Sequence, residues 1–128
     1  MGGSPKDNPQ QAKAFHCGVQ HIHKLQIELQ SLGLGLRDTN GQTQCQALLL
    51  ILQYLGVRGI NTLEGVGLGF YRIATRIQDL EDAGWEIASM RENLIGSDGL
   101  FHKGIARYVF LGKRKDILPA QLDLDLEA

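Results

Sequence analysis

Apolar positions recur at helical spacing along three stretches of the chain and then switch to alternation. In the first stretch, from about Gln10 to Leu32, Phe15, Ile22 and Leu29 fall seven residues apart, and so do Gly18, Leu25 and Leu32. This a/d spacing predicts a helix that buries one stripe. Packing on its own domain and self-association through Phe15 to Leu32 suit that stripe equally, so a homodimer stays open. Gly33-Leu34-Gly35-Leu36 ends the helix, and Asp38-Thr39-Asn40-Gly41 reads as a turn. From Gln42 to Leu55, Ala47, Leu48, Ile51, Leu52 and Leu55 share one helical face, and Gly56 and Gly59 stop the element. Asn61 or Thr62 can cap a short helix with Glu64 near its start, weakened by Gly65, Gly67 and Gly69. A further helix starts near Phe70, turns Ile73, Ala74, Ile77 and Leu80 inward, and closes at Ala83-Gly84. Trp85 to Met90 then alternates like a strand, Asn93 to Lys103 reads as a loop, and Ile105 to Leu111 is a second strand.

Helix, short helix, helix, strand, loop, strand is the order of a winged helix-turn-helix. The predicted class is mainly α with a small β-hairpin, carrying an N-terminal helical extension. It divides into an arm over 1–40, the winged unit over 41–112, and a flexible C-terminal tail over 113–128.

The formal net charge is −1, so no chain-wide positive field points to nucleic acid. The cations are local. Lys103, Arg107, Lys113, Arg114 and Lys115 cluster without an intervening acid, while Asp116, Asp123, Asp125 and Glu127 reverse the sign behind them.

In a helix-turn-helix the second helix enters the major groove with its N-terminal residues at base edges. With the apolar set turned inward, Tyr71, Arg72, Thr75, Arg76 and Gln78 stand outside or at the flank. Arg and Gln bond bidentately to guanine and adenine edges, a Thr methyl can meet thymine, and Tyr71 and Thr75 can reach phosphates. The hairpin from Arg91 to Lys103 is the expected wing, with His102, Lys103 and Arg107 supplying charge against a backbone. The competing reading is structural: Arg76 lies near Asp79 and Asp82 and can pair locally, and winged helices also serve as protein–protein modules.

Residues 42–111 resemble the small winged helix-turn-helix domains of phage and prophage proteins of bacteria. The resemblance rests on Asn61-Thr62-Leu63-Glu64, the run from Arg72 to Leu80, Ala83-Gly84-Trp85-Glu86-Ile87, and Ala106-Arg107-Tyr108-Val109-Phe110. It implies double-stranded DNA as partner and specifies no operator. The glycines at 65, 67 and 69 depart from the pattern and put the geometry of the turn in question.

A second resemblance lies at the end of the chain. Gln121-Leu122-Asp123-Leu124-Asp125-Leu126 is similar to the short peptides by which bacterial replication and repair proteins dock on the sliding clamp. That likeness makes Gln121 the polar anchor, Leu124 and Leu126 the apolar plugs, and Leu122 their support. The alternative to a DNA-binding regulator is therefore a non-catalytic interaction protein that engages host replication or defence machinery.

Other chemistry is not expected. Cys17 and His21 stand four apart and could face one metal, but His16 and His23 point elsewhere and a tetrahedral site needs more ligands. Gly65-x-Gly67-x-Gly69 lacks the strand and lysine of a phosphate loop. With no hydrolase spacing, the chain reads as non-enzymatic and cofactor-free. No apolar run reaches the ~18 residues of a membrane helix, and Met1 to Pro9 lacks the apolar core of an export signal. A reducing cytoplasm is the expected setting, with Cys17 and Cys45 as free thiols.

Overall fold

Two asparagines set the helix starts in the computed structural model, which describes residues 14–114. Asn40 takes hydrogen bonds from the amides of Gln42 (2.9 Å) and Thr43 (3.2 Å), and Asn61 takes one from Glu64 N (2.7 Å). Each satisfies amides that the first turn of a helix leaves without partners. The elements in chain order are β1 (Phe15–His16), α1 (Val19–Ser31), α2 (Gly41–Leu55), a 3-10 turn at Gly56–Arg58, β2 (Ile60–Asn61), α3 (Thr62–Gly67), α4 (Ile73–Asp82), β3 (Trp85–Ile95) and β4 (Phe101–Lys113). The fold is helical with a four-stranded sheet in the order β1-β3-β4-β2.

The sheet is larger than a small hairpin. β3 and β4 pair antiparallel from Trp85↔Lys113 to Ile95↔Phe101, so residues 93–95 and 101–103 are strand where a loop was expected. A register shift between Glu92 and Leu94 interrupts the alternation that marks a strand in sequence, while the ladder carries on past it. The connecting turn closes with Gly96 N to Leu100 O (3.0 Å) and Leu100 N to Asp98 Oδ1 (2.9 Å). β2 adds to β4 at Tyr108 and Arg107, and β1 runs parallel to β3 at Leu94 and Ile95.

Among the described residues the first helix spans Val19–Ser31, and Phe15, expected within it, belongs to a strand. Leu25 and Leu29 of α1 are buried in the same cluster as Leu48, Ile51, Leu52 and Leu55 of α2, Phe70, Ile73, Ile77 and Leu80 around α4, and Ile60, Ile87 and Tyr108 of the sheet. Of the heptad stripe, Leu25 and Leu29 are thus used inside the chain, while Phe15 and Leu32 stay exposed.

The glycines of α3 have steric explanations. A side chain at Gly65 would collide with Ile73 Cδ1, and one at Gly67 would lie 2.5 Å from Ile22 Cγ2. The low helix propensity of the stretch is the cost of letting α4 and α1 approach closely. Gly69 turns the chain with φ 103°, and Phe70, fully buried, donates its amide to Gly65 O (2.8 Å). The helix after the turn therefore begins at Ile73, three residues later than the apolar pattern indicates.

Leu29→Ala should lower stability in urea by ~3 kcal/mol through lost burial and a residual cavity, with one cooperative transition. Leu32→Ala, at an exposed position, should change it by less than ~0.5 kcal/mol.

Candidate nucleic-acid interface

α4 buries Ile73, Ile77 and Leu80. Ala74 was expected with them but is exposed, because at about 100° per residue it falls outside the narrow arc that the other three define. The outward stripe is Tyr71 (78% exposed), Ala74, Thr75, Gln78 and Asp82. Small side chains at 74 and 75 leave the middle of this face low, so a surface could approach the helix backbone closely. Gln78 Nε2 donates to Asp82 Oδ1 (2.9 Å), an exposed contact that breaks at little cost.

The two arginines of α4 part ways. Arg72, at the N-cap, is exposed and forms no ion pair among the described residues. Arg76 has only 18% of its side chain exposed and lies 3.4 Å from Asp79. Its guanidinium covers Gly41 at the start of α2, where any side chain would strike it. Asp79 also accepts from the Cys45 thiol (3.6 Å). Arg76 is therefore a bracket between α2 and α4, and the local-pairing alternative describes it.

On the hairpin, Lys103 and Arg91 are exposed, and Arg91 Nη1 donates to Gly104 O (3.0 Å). These two can meet a phosphate. His102 is held by Asp98 at 3.0 Å. Asp98's carboxyl lies below its ordinary value, first because the Leu100 amide donates to it and then because His102 does.

Arg107 does not join this surface. Its side chain is 14% exposed and sits between Glu92 (2.9 Å) and Glu64 (3.4 Å), and it donates to Arg58 O (2.8 Å). Its closeness in sequence to Lys103 places it on the wing, but its pairing in the fold does not. Strand β4 pairs it with Asn61 of β2 instead, and its guanidinium lies 5.7 Å from the centre of the Phe15 ring. At the base of the hairpin Lys113 lies over the Trp85 ring (5.4 Å) and Arg114 pairs with Glu86 (3.3 Å). Gln121, Leu122, Leu124 and Leu126 lie outside the described residues.

Two consecutive helices, α3 and α4, joined by a tight turn and followed by a long hairpin, are the geometry of one motif. Residues 43–113, more than half of the chain, match the family model described as Winged helix-turn-helix domain. The chain belongs to the winged helix-turn-helix family. No curated protein and no solved structure matches it significantly. In the order of elements, α4 is the second helix of that pair, and Gly96–Leu100 is the tip of the hairpin. No helix among the described residues is long and apolar enough to cross a membrane.

Sequence reasoning missed Ala74 as a surface residue and Glu92 as a core-facing acid. The helical angle of Ala74 was available as a signal. Nothing local marks Glu92, whose partners Asn61 and Arg107 are 31 and 15 residues away.

Burial pushes the Glu92 carboxyl up, but hydrogen bonds from Arg107 and Asn61 outweigh it and hold it below its ordinary value. A carboxyl depressed in the fold contributes stability that is present above its ordinary pKa and lost as pH falls through the depressed value. Acid titration of stability should therefore show a loss beginning below about pH 4.5. Glu92→Gln should be less stable at pH 7 and lose less on acidification.

Proposed function

We propose that this winged helix-turn-helix chain is a DNA-binding regulator of phage or prophage type that reads a duplex with the outward stripe of α4. The observation that carries the reading is the small-centred face of Tyr71, Ala74, Thr75 and Gln78 beside Arg72, which forms no ion pair among the described residues. Placed in a major groove, Arg72 and Gln78 would meet guanine and adenine edges, and Tyr71 and Thr75 a phosphate or thymine methyl. Arg91 and Lys103 would lie against the backbone from the wing. The phage or prophage setting rests on the resemblance of residues 42–111, and two copies would read half-sites about one helical turn apart.

The acids Asp79, Glu81 and Asp82 at the far end of α4 support a tilted approach with the N-terminal end leading, since a helix lying flat would press them on phosphates. They also favour the second reading, an interaction protein with an acidic docking face and a clamp-binding peptide at Gln121 to Leu126.

Gel shifts against the DNA upstream of the protein's own coding sequence, across a salt series, test the first reading. Arg72→Ala should weaken specific binding roughly 10- to 100-fold, and Lys103→Ala should lower the salt slope by about one. Ala74→Glu, which adds length and charge at an exposed site, should abolish binding with stability unchanged. Wild-type affinity in both Ala74→Glu and Arg72→Ala would refute the assigned surface. No specific DNA binding, with a peptide of residues 117–128 binding purified clamp, would favour the second reading.

A further inference from the structure

The fold brings a third ligand to the pair Cys17 and His21. Glu64, from the first helix of the helix-turn-helix, places its carboxylate 2.6 Å from His21 Nε2, and the Cys17 sulfur, His21 nitrogen and Glu64 oxygen all lie within 4.8 Å of one another. We propose that Cys17, His21 and Glu64 form a site for a divalent transition-metal ion of the zinc class, which clasps the β1–α1 segment to α3.

The donor set suits that ion. Thiolate, imidazole and carboxylate are the three donor types zinc takes, at about 2.0–2.3 Å. A thiolate and a carboxylate neutralise a dication without further charge. Calcium or magnesium would require oxygens throughout.

The surroundings hold the donors in place. Glu64 is nearly buried, and its Oε1 accepts from Asn61 N (2.8 Å) and faces Arg107 (3.4 Å), which leaves Oε2 directed at His21. Arg107 does not repel a cation strongly here, because Glu92 neutralises it at 2.9 Å. The Phe15 ring meets the His21 ring edge-on at 4.8 Å and limits its rotation. Cys17 is anchored by its amide on Ile95 O (2.8 Å), and its sulfur is buried beside Asn61. A cleft lined by Phe15, His21, Lys24, Glu64 and Arg107 reaches His21 and Glu64 from solvent. It offers an entry path and room for a water as fourth ligand.

Without metal, His21 and Glu64 hydrogen-bond each other, and burial and then Glu64 push the Cys17 thiol up to about 11. Metal entry replaces the 2.6 Å His21–Glu64 hydrogen bond with N–metal and O–metal bonds and adds an S–metal bond, opening that pair to roughly 3.3 Å, the span of two ~2.0 Å bonds at a tetrahedral angle. The proton of the His21–Glu64 bond leaves Nε2, passing to Nδ1 of a neutral ring or to solvent from a charged one, and the thiol proton is released to solvent. His21 and Glu64 lie 43 residues apart in sequence, so the ion closes a long loop and stabilises the fold more than a local clip would. The site stands independently of whether α4 reads DNA.

The test uses the full chain, stripped with chelator under reducing conditions and titrated with Co²⁺ and then Zn²⁺. One equivalent of Co²⁺ should give a near-ultraviolet thiolate-to-cobalt band and the intense visible bands of four-coordination. Zn²⁺ should bleach both and raise the thermal midpoint. Cys17→Ser should remove the ultraviolet band, and Cys17→Ser and His21→Gln should each weaken binding by more than about 100-fold, beyond the cost of losing an outer-shell partner. Cys45→Ser, whose sulfur lies at Asp79, should behave as wild type. Absence of the thiolate band in the wild-type chain at one equivalent would overturn the proposal, whatever the variants do. So would a band that survives Cys17→Ser or is lost in Cys45→Ser.

Discussion

A primary amide with no solvent contact must find its hydrogen bonds inside the protein, and Asn61 is such a group. Its side chain accepts from Glu64 N and donates to Glu92 Oε2 (3.0 Å), while its own amide donates to Glu64 Oε1 (2.8 Å). The reciprocal bonds with Glu64 are a capping box, which starts α3 at Thr62. The bond to Glu92 ties that start to β3, and Arg107 of β4 bridges both carboxylates. One amide thus fixes where the helix-turn-helix begins and how it sits on the sheet. Removing both acids would strand Arg107 at a site where only 14% of its side chain is exposed, a larger penalty than the bonds lost.

That arrangement decides which cations face outward. A chain of near-zero net charge cannot attract a polyanion through its overall field. Arg58, Arg76, Arg107 and Arg114 each pair with an acid of the chain. Arg72, Arg91 and Lys103 form no ion pair among the described residues, and they lie on the two elements that a winged helix-turn-helix presents to a duplex.

Most of the order of elements was legible before the structure, because it follows from local rules. Asn61 with Glu64 three residues on is a capping signal, Gly33 and Gly84 stop helices, and Leu48, Ile51, Leu52 and Leu55 repeat at the helical pitch. What was not legible depends on pairs far apart in sequence. Strand β1 exists because Phe15 and His16 meet Leu94 and Ile95, and nothing in a two-residue strand announces it. Glycines 65 and 67 looked like weaknesses of α3 until Ile73 and Ile22 occupied the space they leave. Arg107 read as a wing cation because its acidic partners are 15 and 43 residues away in the chain. Arg76 and Arg72 are alike in sequence, and only the packing of α2 against α4 separates the bracket from the free side chain.

On α4 and the hairpin, Arg72, Arg91 and Lys103 are too few for phosphate contacts alone to hold a duplex tightly, since each neutralised phosphate contributes a bounded, salt-sensitive share. Affinity on the proposed reading has to come from close fit of the outward stripe. Ala74 and Thr75 matter for that reason: a small side chain lets the helix backbone sit deeper and brings Arg72 and Gln78 within reach of base edges. The same low profile would serve a protein partner less well, because protein interfaces draw their energy from large buried anchors. Tyr71 is the single large group on the stripe, and it stands at its N-terminal end instead of its centre. A face with a recessed middle and a cationic leading edge is shaped for entry into a groove, and that shape, more than the charge count, favours DNA over a protein surface.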